Sequence, residues 1–584
     1  MPEGIQEGMK LKILLLSLPL LLVASNTLAQ AQTPSSRIIG YSVTEGDTLQ
    51  TSFTYLTTEM DLARETWLWC ESVLDPDCLD KNLNVRAFLL PCGPEVTLAC
   101  IKDVYAIAPD GTRTIGKFVR SVGASPTMDL KEDVSRRLVS GVGMGGIWNF
   151  EGLTHGGGTS TYAVQAGVDG RGFVPAPSGS KPATVGYSRV EFGIAAVREI
   201  QGTYLPNTLV FKPGTTNYQI RGADSIGSNG RPDYKCVMTE TGLCFERTTF
   251  PAGYRFGMTV SLPNELSGWF HGRIYRPEIS ITKSGPRFDY NIEATPVKVP
   301  YIREQVPSSQ WGKELVDFVD VKFSCNTLGD CGNTGGGYMM PGNSGAFAFD
   351  LTKLFLPVVK DKSSGTGEYW SVRTLDFWNE GNSANAIQSC SADATSVSGI
   401  VTTNSMIYSA GPPTYNADSS SLDYKVLSPH TNEKGEDNIG SYDLLLDSKV
   451  ARCIYKFSDA PVKAEIEILG SDGSSKVATT VIGEKNGFLF MSANGFTYSE
   501  PTVRIKLKQD PVPVVTPTPT PSPTPTPTAS ATPTPTPSPV VTQAATTSKV
   551  TQSSKKTTIS CSKSGKIKKV TAVKPKCPAG FKKV

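Results

Sequence analysis

From residue 37 to residue 300, short apolar or alternating runs are separated by glycine, proline and asparagine, as in "RIIGYSVTEG", "SRVEFGIAAVREI", "YRFGMTVSLP", "RPEISITKSG" and "FDYNIEATPVKVP". Strand-length runs punctuated by turn residues predict a mainly β chain, organised as a sandwich, jelly roll or barrel. A period of 3.6 residues is scarce; only "TTEMDLARETWLW" predicts a short helix. Residues 301–423 carry further runs, "VDFVDVKFSC", "GAFAFDLTKLFLPVV" and "YWSVRTLDFW", read as a second β-rich region after a boundary near 300. The clearest pattern lies in 424–510. In "PTVRIKLKQ", Val503, Ile505 and Leu507 alternate with Arg504, Lys506 and Lys508, which predicts a half-buried antiparallel strand. "AEIEILGSDGSSKVATTVI" reads as two strands around a Ser-Asp-Gly turn, and "EKNGFLFMSANGF" offers two Asn-Gly turns. A small immunoglobulin-like β-sandwich fits this module.

The pattern ends abruptly. Residues 511–548, which include "PVPVVTPTPTPSPTPTPTASATPTPTPSP", have nothing with which to build a core and read as a disordered Pro/Thr stalk. In polyproline II its proline-rich part reaches roughly 90 Å, at ~3.1 Å per residue. Its threonines are candidate O-glycosylation acceptors. At the other end, residues 1–31 read as a secretory signal peptide. The apolar run from Ile13 to Ala24 is too short to span a bilayer comfortably, and Ala29 and Ala31 supply a small-x-small cleavage pattern. Initiation at Met9 gives the more usual basic start "MKLKILLL". No later run is long enough for a membrane helix, so the expectation is an exported chain without a membrane span after the leader.

Composition sharpens this. Glycine (55) and proline (42) are abundant and charged residues make up 19%, which suits a turn-rich β protein. The net charge of +3 conceals a split, because residues 549–584 hold eleven lysines and no acid. The rest of the chain is acidic. The twelve cysteines fall into the pairs Cys70/Cys78, Cys92/Cys100, Cys236/Cys244, Cys325/Cys331 and Cys561/Cys577, with Cys390 and Cys453 left as a long-range pair. In an exported chain these predict disulfides. Three C-x7-C clips would each stabilise by roughly 2–3 kcal/mol. The spacing and the three histidines argue against zinc, and no metal or cofactor is expected.

The basic tail reads in two ways. It is a solvated, solubilising end, or it is an attachment element stapled by Cys561–Cys577 whose lysines (Lys563, Lys566, Lys568, Lys569, Lys574, Lys576, Lys582 and Lys583) meet anionic wall polymers or glycans. Outside a cell, nucleic acid is not the expected partner.

Catalytic motifs are incomplete. "PGNSGAFAF" places Ser344 in a setting similar to Gly-Asp-Ser-Gly, but Asn343 and Ala346 stand where Asp and Gly belong, and neither His155 nor His271 lies in a matching histidine motif. "THGGGTST" resembles the oxyanion loop of some esterases without the Gly-x-Ser-x-Gly elbow. Glu240 and Glu380 are unpaired glycosidase candidates. Trp67, Trp69, Trp148, Trp269, Trp370 and Trp378 are sugar platforms or core anchors, and the β context favours core. "SGWFHGRIY" stands apart, since Trp269, His271, Arg273 and Tyr275 recur at period 2 on one strand face. That face is either a ligand surface for glycans or anions, or an aromatic face packed under a loop with Arg273 paired to an acid.

The tail "TISCSKSGKIKKVTAVKPKCPAGFKKV" resembles a C-terminal segment that recurs after low-complexity linkers in secreted actinobacterial proteins. "WLWCESVLDPDC", "FLLPCGPEVTLACIKDVYAI", "GIWNFEGLTHGGGTSTYAVQAGVDG", "LSGWFHGRIYRPEISI" and "SYDLLLDSKVARCIYKFSDAPVKAEI" through "NGFTYSEPTVRIKLK" resemble large uncharacterised ectodomains of the same bacteria. The resemblance implies an exported, envelope-associated or released protein and carries over no functional residue. Three readings are open: a non-enzymatic binding or surface protein, a secreted hydrolase of polysaccharide or peptide, and a structural envelope component.

Overall fold

The computed structural model describes residues 40–43, 53–58, 72–79, 81–123, 129–174, 184–204, 236–323, 345–375, 397–457, 462–469, 475–477, 479–498 and 502–509. Single residues at 45, 68, 70 and 390 are also described, with short strands at 208–211, 218–221, 334–335 and 338–339. Beyond these lie strands at 557–563, 566–572 and 582–583. Contacts divide the chain into two units, Met1–Val512 and Pro513–Val584. The fold is mainly β, as the turn-punctuated pattern predicts.

A central sheet organises the first unit. Strands Tyr55–Thr58, Lys81–Phe88, Thr161–Val174, Gly186–Gln201 and Gly365–Thr374 are successive antiparallel neighbours. The first half of Gly268–Ser284 joins next and pairs in parallel with Val397–Thr403. Ile439–Asp447, Phe488–Thr497 and Thr479–Lys485 complete the sheet. A second layer consists of Cys100–Ile107, Arg255–Leu262, Arg287–Glu304 and the second half of Gly268–Ser284. The long hairpin Gly268–Ser284/Arg287–Glu304 thus belongs to both layers. A third layer, Ser421–Leu427, Thr502–Gln509, Val462–Leu469 and Ser475–Val477, lies on the other side of the central sheet.

Alternating side chains make the layers cohere. Val85, Val164, Phe192 and Val372 of the central sheet meet Val104, Phe256, Met258 and Ile292 of the second layer. Trp370 bridges them: its indole Nε1 donates to the carbonyls of Phe256 (3.1 Å) and Ala294 (3.2 Å). Further along, Leu445 faces this core while Leu444 and Leu446 face Tyr424, Ile466 and Ile505 of the third layer. Covered on both sides, strand Val397–Thr403 is buried at every position, so its "VSGIVTT" shows no alternation. In Thr502–Gln509 the alternation is as expected, with Val503, Ile505 and Leu507 buried.

Several expectations need correction. "VDFVDVKF" and "GAFAFDLTKLF" are not strands but lie in helices Lys313–Phe323 and Gly345–Phe355. The buried positions Ala348, Leu351, Thr352 and Phe355 follow helical spacing, as do Leu315 and Val319. With Tyr41, Val43 and Ile302 the apolar ones form a separate core, and Thr352 Oγ1 bonds the Tyr41 hydroxyl at 2.7 Å. Ser448–Tyr455, foreseen by no pattern, is a helix capped by Asp447, whose carboxylate accepts from the Lys449 and Val450 amides. Asn486-Gly487 is the expected two-residue turn, with φ of 54° and 81° and Lys485 opposite Phe488. Asn494-Gly495 is not a turn: Gly495, at φ 78°, sits where the register against Ile439–Asp447 slips by one residue. The helix expected over "TTEMDLARETWLW" lies mostly outside the described residues.

The boundaries expected at 300 and 423 both fall inside strands, Arg287–Glu304 and Ser421–Leu427. The second strand carries the pairing between residues 421–425 and 502–506. The sandwich around 424–509 therefore borrows Val397–Thr403 from upstream. Among the described residues four disulfides join Cys70–Cys78, Cys92–Cys100, Cys236–Cys244 and Cys390–Cys453, the last spanning 63 residues. Cys325, Cys331 and Cys577 lie outside the described residues, as does the 511–548 segment.

Candidate functional sites

Trp269, His271, Arg273 and Tyr275 do share one face of the strand Gly268–Ser284, but that face is turned inward. Trp269, His271 and Arg273 are buried and Tyr275 is half-buried, so the row does not form an exposed ligand surface. Arg273 is bound on every side. Its Nη2 lies 2.6 Å from Glu45 Oε2, and the guanidinium donates to the carbonyls of Thr403 (3.1 Å), Ser405 and Met406 (3.2 Å) while stacking 4.2 Å over the Tyr408 ring. Burial works most strongly against the Arg273 charge, but Glu45 and Tyr408 together outweigh it and hold the group above its ordinary value. His271 Nδ1 meets the Tyr408 hydroxyl at 2.6 Å, and its Nε2 accepts from Arg373 Nε at 3.2 Å. Burial, then Arg373 and Arg273, push this imidazole well below its usual range. It is neutral, with Nδ1–H donating to Tyr408.

Register extends this polarity across the central sheet. Arg86 is opposite Asp169, Asp169 opposite Arg189, Glu191 opposite Arg373, and Arg373 opposite His271. All lie on the face away from the main core, since Val85, Val168, Val190, Val372 and Phe270 point into it. Arg86 Nη2 donates to Glu191 Oε2 at 2.7 Å, and its Nε is 3.5 Å from Asp169 Oδ1. Burial pushes the Glu191 carboxyl up while Arg86 and Arg373 oppose it. Two carboxylates therefore converge on one guanidinium. These residues come from five strands, of which only Thr161–Val174 and Gly186–Gln201 follow one another in sequence, and no local motif announces them; the signal is charged residues set between apolar ones in "NVRAF", "SRVEF" and "SVRTL".

The remaining candidates are structural or out of view. His155 is buried in its loop: Nε2 donates to the Thr161 carbonyl (2.9 Å), and Nδ1 accepts from the Gly157 amide and the Thr248 hydroxyl, both at 3.0 Å. Every ring nitrogen is used, and burial lowers its pKa. Ser344, Glu380, Trp67, Trp69 and Trp378 lie outside the described residues, and Glu240 is paired with Arg120. Trp148, Trp269 and Trp370 are core anchors. Among the described residues no group of three or more His, Cys, Asp or Glu is placed to hold a metal. No helix among them is long and apolar enough to cross a membrane.

The second unit contains a three-stranded antiparallel sheet with Thr557–Lys563 at its centre, flanked by Lys566–Ala572 and Lys582–Lys583. Lys563 is opposite Lys566, and Cys561 is opposite both Lys568 and Lys583. Opposed residues share a face, so positions 563, 566, 568 and 583 lie on one side around Cys561. Positions 569 and 582 lie on the other. Lys574, Lys576 and Cys577 are outside the described residues.

A comparison with protein-family models and one with curated proteins find no match to this chain.

Proposed function

We propose that this is an exported, envelope-associated or released binding protein without catalytic activity, whose β-layered body is carried on a basic C-terminal sheet that contacts anionic wall polymers. The observation that carries the reading is the register of the C-terminal sheet, which gathers lysines on one face of a segment that has no acid. The body is acidic and is repelled by the same polymers, so attraction has to come from the tail. Four disulfides, the leader-like residues 1–31 and the resemblance to secreted actinobacterial ectodomains support export. The test is co-sedimentation of the purified chain with isolated cell-wall material. The intact chain is expected to pellet and the chain lacking 549–584 to stay in solution; equal pelleting of both would contradict the proposal.

One observation favours the hydrolase reading: Asp169 and Glu191 share Arg86, and burial pushes the Glu191 carboxyl up against the pull of Arg86 and Arg373. A polysaccharide-cleaving activity abolished by Glu191→Gln, with the fold retained by circular dichroism, would replace the binding proposal.

A further inference from the structure

The long strand Gly268–Ser284 leaves the central sheet and joins the second layer around Arg276. Tyr275 is opposite Thr295 and Glu278 opposite Glu293, so three steps along this strand match two along its partner, a β-bulge at Arg276-Pro277. Arg276 adopts φ 49°, a left-handed conformation that a side chain disfavours. Its peptide groups are held from both layers. The amide donates to Asp443 Oδ2 of strand Ile439–Asp447 at 2.6 Å, and the carbonyl accepts from the Arg255 guanidinium of the second layer at 3.3 and 3.4 Å. Arg255 is fixed in turn by Glu293 at 2.8 Å, while Glu278 meets both Arg255 (3.7 Å) and Lys485. The crossing is clamped between a carboxylate on one sheet and a guanidinium on the other.

The two jaws differ in their surroundings. Arg255 is partly exposed and has carboxylates beside it. Asp443 is 1% exposed and points toward the second layer, on the Leu445 side of its strand. Opposite it on the two neighbouring strands stand Thr402 and Ser492, and the Ser492 hydroxyl donates to Oδ1. Strands Val397–Thr403 and Phe488–Thr497 carry no ionisable side chain. On its own strand Tyr442 faces the other way, into the third-layer core. On the long strand, burial keeps Tyr275 neutral, the Arg276 guanidinium lies 5.1 Å over the Tyr275 ring, and Glu278 is held by Arg255 and Lys485. The contacts of Asp443 are thus an amide and hydroxyls, which return less than the hydration lost, and burial pushes its pKa up to about 6 against the pull of Ser492 and the Arg276 amide. We propose that Asp443 is a pH-operated latch on this crossing: protonated, it holds the Arg276 bulge shut between the layers, and ionised, it favours an opening in which water reaches the carboxylate and the layers part at the bulge. In the open form the carboxyl titrates at its ordinary 3.8, so the balance moves toward opening as the pH rises from about 4 and levels off above about 6.

The experiment is hydrogen exchange of the full chain, read by mass spectrometry from about pH 4.5 to about pH 8 and corrected for the intrinsic pH dependence of exchange. Protection in peptides covering residues 274–279 and 440–446 is expected to fall about 25-fold across this range, the ratio set by a carboxyl that titrates at about 6 when latched and 3.8 when hydrated. Protection over residues 81–88, at the far side of the central sheet, is expected to change less than about 3-fold. Asp443→Asn keeps an acceptor for the Arg276 amide and is expected to abolish the pH dependence. If that variant does not fold, Ser492→Ala decides: it removes a donor that favours the ionised form, so the loss of protection is expected to continue to higher pH than in the unaltered chain. Protection that ignores pH, a pH dependence that survives Asp443→Asn, or a plateau unmoved by Ser492→Ala would overturn the assignment to Asp443. Equal losses over residues 81–88 would show global unfolding and overturn the latch.

Discussion

Arg273 shows what a local pattern can and cannot reveal. Period 2 in "SGWFHGRIY" places Trp269, His271, Arg273 and Tyr275 on one face, and they are there. Which way the face points is not legible in that stretch, because the acid that neutralises Arg273 is Glu45, 228 residues away. Its remaining acceptors are carbonyls of residues 403–406. With side chains 1% and 5% exposed, the pair is a buried ion pair, and removing one partner strands the other. Glu45→Gln is expected to cost about 3–5 kcal/mol, read as a lowered thermal midpoint; an unchanged midpoint would contradict the role given to this contact. Asp443 makes a separate prediction. Its carboxylate accepts from the Arg276 amide (2.6 Å) and the Ser492 hydroxyl, yet burial pushes its pKa from 3.8 up to about 6. The folded chain holds this proton more tightly than the unfolded one. Its stabilising contribution is therefore full below about pH 4 and is lost as the pH rises through 6, on the order of 3 kcal/mol in all. Melting curves of Asp443→Asn should lack that part of the pH dependence between 4 and 7, whereas identical slopes in both proteins would refute it.

Elements are legible where a single periodicity meets a single covered face. Thr502–Gln509 alternates because one side meets the third-layer core, and Asn486-Gly487 turns because both residues adopt φ above zero. "VDFVDVKF" misleads for the opposite reason: its apolar residues fit a spacing of two as well as of three to four, and only packing against Tyr41 and Ile302 selects the helix. The second Asn-Gly has the residues of a turn, but the partner strand continues past it and absorbs Gly495 as a bulge. Gly487→Ala is expected to cost about 1–2 kcal/mol, since a side chain is strained at φ 81°. Gly483→Ala, in the same hairpin with open space at its Cβ, should be neutral or slightly stabilising. If thermal midpoints fall equally in both variants, conformational strain at the turn is not the cause.

At the scale of the whole molecule, the mainly β class and the local cysteine clips can be read from turn spacing and C-x7-C repeats. The division into regions cannot. Strand Val397–Thr403 pairs with residues 268–272 on one side and 442–446 on the other, so the layers are shared by segments that composition alone separates. The charged row of Arg86, Asp169, Glu191 and Arg373 is hidden for the same reason, since each of its members comes from a different strand. The sharp change of composition near 511 is a different kind of signal and coincides with the division between the two units at Val512. The proposed wall binding places attachment in residues 549–584 and makes it electrostatic. It is tested most directly by the salt dependence of retention on isolated cell walls. Exposed charges act over only about 8–10 Å at physiological salt and less above it, so the intact chain is predicted to elute progressively as salt rises, with the 549–584 deletion unbound at every concentration. Retention that ignores salt, or that survives the deletion, would contradict the account.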